Sequence, residues 1–214
     1  MFVAKRMTPN PITIELSATI ADASEIMRKH KFRRLPVVDH GRLVGIVTDR
    51  DLRSVSPSPA TTLSIFELNY LLAKMQVKDI MHKDVVTIDV GATIEEAALS
   101  MSNHHISGLV VVDATGAIAG IITETDIFNS FVEIMGLKEG KTRFTFSVTD
   151  QIGVLYEITR VFKEMNISIS SLASYTTEAG GGELVIRFNA PDTEELTKRL
   201  TAIGYPPQHT VQIG

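Results

Sequence analysis

Two hydroxyl and carboxylate pairs recur in this chain at one spacing. Thr48 and Asp51 stand in "VGIVTDRDL" (residues 44–52), and Thr123 and Asp126 stand in "AGIITETDI" (residues 119–127). In each copy the small and β-branched apolar residues read as a strand ending in the Thr, which places the Asp one turn into a following helix. A carboxylate there can accept two hydrogen bonds from vicinal hydroxyls, the arrangement a ribose 2′,3′-diol presents. The Thr hydroxyl can bond the sugar or a phosphate. The same residues serve equally as helix caps, and the residues alone leave both readings open. A phosphate also needs positive charge, which "RKHKFRR" (residues 28–34) supplies. Arg33 and Arg34 are the candidates, because a planar guanidinium can hold phosphate oxygens with two bonds. Basic residues at a helix C-terminus also offset its dipole, the alternative for this cluster. The matching stretch of the second copy is "SNHHISG", with Ser107 and Gly108 where the arginines would be. Two sites built on these copies are expected to differ, the better one carrying Arg33 and Arg34.

The elements that must position these groups are themselves repeated. Thr13 aligns with Thr87, Thr19 with Thr93, Met27 with Met101, Asp39 with Asp113 and Asp51 with Asp126, with a one-residue slip in the turn after Asp39. Each copy reads as a short strand ("PITI" or "VVTI"), a helix starting at Thr19 or Thr93, a strand ("LPVVD" or "LVVVD"), a glycine turn at Gly41 or Gly116, a final strand and a second helix. Thr93 and Glu96 form a capping box, and Ile94, Ala97 and Met101 continue one apolar face. Ile12, Leu35, Val37 and their second-copy equivalents Val86 and Leu109 are expected to sandwich a flat base, with Thr13 and Pro36 beside them. Between the copies, "SVSPSPATT" reads as a linker, followed by a helical stripe of Ile65, Leu68, Leu72 and Met75 expected to pack on the paired core.

The doubled G-h-h-T-x-x-D ending, preceded by "LPVVD", resembles a tandem pair of cystathionine-β-synthase (CBS) domains over roughly residues 1–135. The resemblance implies a Bateman module, which binds adenosine nucleotides or related adenosyl ligands in clefts between its two units. From Thr142 the pattern changes to a βαββαβ order: "TRFTFSV", a helix carrying Leu155, Ile158, Phe162 and Met165 and capped by Asp150, the strands "ISISSLASYTT" and "GELVIRFNA", a helix opened by Asp192 and Glu195, and "HTVQI". That order, with "DQIGVL" at its first turn and "NISI" after the helix, is similar to an ACT domain, which implies sheet pairing between copies and a small, often amino-acid, effector. Asp150, Gln151, Gly153 and Asn166 are its candidate residues, since a glycine at a helix N-terminus lets an anionic group approach backbone N–H groups. The whole arrangement resembles bacterial acetoin-utilisation regulatory proteins. The expected fold is thus mixed α/β of the α+β kind: a CBS domain over 1–60, a linker helix over 61–76, a second CBS domain over 77–136 and an ACT domain over 139–214.

Composition narrows the function. The net charge of −4 and a pI near 5.9 give no whole-molecule case for nucleic acid or an anionic membrane. The absence of Cys removes disulfides and thiol nucleophiles and suits a reducing compartment, and no apolar run of signal-peptide length opens the sequence. The expectation is a cytoplasmic regulatory sensor, a homodimer with no catalytic residues, no metal and no catalytic cofactor, taking an adenosine nucleotide as regulatory ligand and acting on an unidentified partner. His104 and His105 are adjacent and point to different helix faces, so they cannot chelate one metal. Two other readings stay open: a ligand-free dimerisation scaffold, and a Mg²⁺-dependent nucleotide-processing enzyme using Asp49 and Asp51.

Overall fold

The structure, a computed structural model, describes residues 1–55, 74–149, 151–176, 181–190 and 192–212. The stripe residues Ile65, Leu68 and Leu72 and the cap expected of Asp150 lie outside them. The chain divides into two compact units, Met1–Ile127 and Phe128–Gly214.

The first unit holds both copies of the repeat. One sheet has the order β2 (Ile14–Glu15), β3 (Arg34–Asp39), β4 (Arg42–Thr48), accompanied by helices α1 (Ile20–His30) and α2 (Asp49–Val55). The other has the order β1 (Thr8–Pro9), β7 (Ile118–Thr123), β6 (Gly108–Val112), β5 (Thr87–Asp89), with α3 (Ile94–His104) and the start of α4 (Glu124–Ile134), whose residues from Phe128 belong to the second unit. The first strand of each copy is shorter than the sequence predicts. Ile12, Thr13 and Val86 precede the paired residues, and Pro11 has no N–H to offer a ladder.

The chain crosses between the copies. Residues before Asn10 belong physically to the second copy: Thr8 pairs with Ile121 and Pro9 with Gly120, while Val3 is buried with Ile94, Met101 and Leu109. Reciprocally, Val77 is buried among Ile14, Met27 and Leu35, and His82 bridges to Ile46. This crossing explains the glycine of each motif. A Cβ at Gly45 would lie 3.0 Å from the His82 carbonyl oxygen, and one at Gly120 would lie 2.9 Å from that of Thr8.

Reciprocal caps fix the helix starts. Thr19 and Thr93 accept from the N–H groups of Asp22 and Glu96, whose carboxylates accept from the Thr N–H and hydroxyl in return. Those bonds hold both carboxyls below the usual carboxylate range. A carboxyl with a depressed folded pKa stabilises fully above its unfolded value, near pH 4, and loses that contribution as pH falls through the folded one. Melting temperature followed from pH 6 to pH 2 should therefore fall below about pH 4. Thr93→Val, which removes the hydroxyl, should melt lower at pH 6 and lose less than wild type on acidification. A variant whose acid profile parallels wild type would contradict this.

The second unit is a four-stranded antiparallel sheet, ordered β11 (His209–Gln212), β8 (Thr142–Val148), β10 (Gly182–Phe188), β9 (Ile169–Thr176), covered on one face by α5 (Val154–Glu164) and α6 (Thr193–Ala202). Phe144, Phe146, Leu184, Ile186 and Phe188 meet Ile158, Phe162, Leu196 and Leu200 in its core. The α5 stripe differs from the expected one. Val154, Ile158, Val161 and Phe162 are buried while Leu155 is 48% exposed, because the helix starts after Gly153 and turns Leu155 off the sheet. Asp192 caps α6 by accepting from the N–H groups of Glu194 and Glu195.

Candidate functional site

The start of β3 meets the end of β7 at a cleft of about 540 Å³ within the first unit, a volume in the range that holds drug-sized ligands. The first copy contributes Ile12, Phe32, Pro36 and the cations Lys31, Arg33 and Arg34; the second contributes Ser107, Ile121, Thr123, Glu124 and Asp126. Thr8 and Asn10, from the crossing segment, complete the wall.

Thr123 ends β7, and its N–H and hydroxyl donate to Asp126 Oδ2 at 2.8 and 2.7 Å, so the carboxylate is fixed at the cleft edge. Arg34 opens β3 and reaches to the second copy, donating from Nη2 to Ser107 Oγ at 2.5 Å. Burial lowers its pKa; the charges of Glu124 and Asp49 oppose the shift while Arg33 adds to it. The repeat places Gly108 opposite Arg34, and a Cβ at Gly108 would come within 2.8 Å of Arg34 Cζ. A side chain at position 108 would require the Arg34 guanidinium to move from its place against Ser107. The cleft takes its arginine from the first copy, over a position where the second copy has glycine.

The equivalent carboxylate, Asp51, has a different environment. Its Oδ2 accepts from the Thr48 N–H and hydroxyl at 2.8 and 2.7 Å, as in the second copy. Its Oδ1 lies 3.0 Å from His82 Nε2. His82 aligns with Thr8 in the repeat, so a ring that bonds the carboxylate stands where the other side has a small hydroxyl. Neither Thr48 nor Asp51 lines the cleft.

A CBS domain model matches residues 3–58 and 77–133. The chain belongs to the CBS-domain family. An ACT domain model matches residues 142–204, so a CBS pair is followed by an ACT domain. Three solved structures are similar to the CBS pair. One, described as the acetoin utilization protein AcuB from Vibrio cholerae, is 31% identical with a TM-score of 0.53, covering 65% of this chain and 96% of that one. CBSX2 of Arabidopsis thaliana in complex with AMP is 29% identical with a TM-score of 0.52, over 62% and 97%. A CBS domain pair in complex with 5′-methylthioadenosine and S-adenosyl-L-methionine is 32% identical with a TM-score of 0.51, over 61% and 95%. Among curated relatives, the match spans 94% of a CBS domain-containing protein of Dictyostelium discoideum but 21% of the L-aspartate semialdehyde sulfurtransferase of Methanocaldococcus jannaschii.

The CBS cleft gathers Ile12, Arg33, Arg34, Pro36, Thr123 and Asp126 from the residues the sequence singles out. It does not gather Leu35, Val37 or Leu109, which are fully buried in the two cores. Strand alternation turns Leu35 and Val37 away from the face that presents Arg34 and Pro36. Val86 packs against the second core and Thr13 is not in the wall. The apolar surface open to a flat ring is instead Ile12, Phe32, Pro36 and Ile121. Phe32 stacks on His30 with centroids 5.4 Å apart.

In the ACT domain the candidates do not converge. Gly153 is the N-cap of α5 at φ 97°, with Gln151 just before it, whereas Asn166 is exposed beyond the C-terminus of the same helix. The 11-residue helix lies between them, a length of roughly 16 Å at about 1.5 Å per residue. Asp150 lies outside the described residues.

Proposed function

We propose that this protein is a non-enzymatic regulatory sensor that binds an adenosine nucleotide in the cleft shared by Arg33, Arg34 and Asp126. The observation that carries the reading is the pairing itself: the second copy's carboxylate and hydroxyl face the first copy's guanidiniums across one cleft. The diol of a ribose matches Asp126, a phosphate matches the arginines, and a base fits against Ile12, Phe32, Pro36 and Ile121. The AMP-bound and S-adenosyl-L-methionine-bound structures of similar CBS pairs support the ligand class. Lys31, Arg33 and Arg34 outnumber Glu124 and Asp126 in the wall, which favours a phosphorylated ligand over a sulfonium. The contact of His82 with Asp51 leaves the other copy's motif as a helix cap, so one nucleotide binds per chain.

Regulation requires that the ligand prefer one arrangement of the protein. An amino-acid-like effector at the first turn of the ACT domain, near Gln151 and Gly153, would supply the second input, and a cytoplasmic homodimer would pass the change to a partner protein. The phosphate chemistry of a Mg²⁺ enzyme would need Asp49 and Asp51, but Asp49 holds Arg53 at 2.7 Å and Asp51 holds Thr48 and His82.

Calorimetric titration of AMP, ADP, ATP and S-adenosyl-L-methionine into the full chain tests this. One site per chain, with the phosphorylated nucleotides binding more tightly, is the expected result. No binding by any of the four, or two equivalent sites, would refute it.

A further inference from the structure

The face of the ACT sheet opposite its helices carries a charge that is uncompensated among the described residues. Arg187 on β10 is 7% exposed, yet its Nε and Nη1 are buried with no hydrogen-bond partner among the described residues. None of the ion pairs among the described residues includes it. Directly opposite, in register on β8, stands Arg143, a second guanidinium on the same face. Arg143 is held in place by donating from Nη1 to Thr145 Oγ1 at 2.6 Å. Burial, and then the like charge of Arg143, push the Arg187 pKa below its ordinary value.

Such a pair is unfavourable twice over. An unpaired buried ion carries its full desolvation cost, and like charges directly opposite on neighbouring strands repel. Arg187 cannot escape either effect easily, because β10 is paired on both sides, with β8 and β9, and Gly140 closes over its Cβ. Gly140 has no room for a side chain there: an added Cβ would lie 2.8 Å from Arg187 Cβ. The segment over the arginine is in turn fixed, with Ser171 donating to the Met135 carbonyl at 2.7 Å and Asn189 bonding the backbone of Glu139 and Lys141. An oxyanion between the two guanidiniums removes both costs at once, since each can donate to its oxygens.

We propose that the ACT sheet binds a small oxyanion, a carboxylate or phosphate group, between Arg187 and Arg143. This site lies on the sheet face, whereas the Gln151 and Gly153 turn lies at a helix start. It is contained within the second unit, so its failure would leave the case for the nucleotide cleft untouched.

The test is thermal melting of the full chain in sodium phosphate and in sodium malonate, at constant ionic strength against sodium chloride. Arg33→Ala/Arg34→Ala serves as the background that silences anion binding in the CBS cleft. At saturation one or both anions should raise the ACT transition by about 5 °C or more. Adding Arg187→Met should abolish that rise, and in chloride alone this variant should melt no lower than its parent, because it removes an unpaired buried charge. Stabilisation by phosphate alone identifies a phosphate site, and by malonate alone a carboxylate site. Should Arg187→Met not fold, Arg143→Gln must show the same loss of response. No anion-specific rise, or a rise that survives these substitutions, overturns the proposal.

Discussion

Asp126→Ala should weaken AMP binding roughly 10- to 150-fold while Asp51→Ala leaves it within about twofold. A hydrogen bond to a charged group is worth about 1.5–3 kcal/mol, and each 1.4 kcal/mol is tenfold in affinity. The two aspartates occupy equivalent positions in nearly identical motifs and make the same bonds to Thr123 and Thr48. Loss of the cap should cost both variants about 0.5–2 kcal/mol of stability. Stability therefore cannot separate them, but binding can, because only Asp126 lines the cleft with Arg33 and Arg34. Asp126→Asn keeps an acceptor for the cap and removes the charge, so it should restore stability without restoring affinity. Arg34→Ala should weaken the same site. Equal losses from Asp51→Ala and Asp126→Ala would mean that the His82 contact does not disable the first copy's motif.

Why one aspartate and not the other belongs to the cleft depends on contacts that local sequence does not encode. The doubled motif, the Thr93 and Glu96 box and the βαββαβ order follow from spacings of a few residues, and those elements form as expected. The crossing of the N-terminal segment to β7 is a long-range event, and it places Thr8 in the wall of the cleft that Asp126 lines, while His82 meets Asp51. The clue was present in the repeat register, which sets His82 opposite Thr8. Strand faces were harder still. In "RLPVV" every residue after Arg34 is buried, so no polar alternation shows that Pro36 looks into the cleft while Leu35 and Val37 look into the core. Arg187 was equally hidden: within "GELVIRFNA" a single arginine reads as the solvent side of a strand, yet it is 7% exposed, with Gly140 closing over its Cβ.

Phe188→Ala should cost about 3–5 kcal/mol, a large-to-small change in a fully buried site. Phe188 is where the ACT core closes: its ring lies 4.8 Å from Phe144 and 5.1 Å from Phe162, edge to face in both cases. Each such pair adds about 0.5–1.5 kcal/mol beyond the area buried. One truncation therefore breaks contacts from β10 to β8 and from the sheet to α5. Nearby side chains cannot refill the space, since Phe144, Phe162 and Ile186 are themselves fully buried and held by the sheet and helix backbones. Urea unfolding of the full chain should show the second unit's transition moving to lower denaturant. AMP titration below that transition should stay within about twofold of wild type, because Phe188 belongs to the core of the second unit and the cleft is lined by residues of the first. A loss under about 1 kcal/mol would show that the core does not close on this ring. A parallel collapse of AMP binding would show that the CBS cleft depends on the ACT domain's packing, which is the energetic connection a two-input sensor requires.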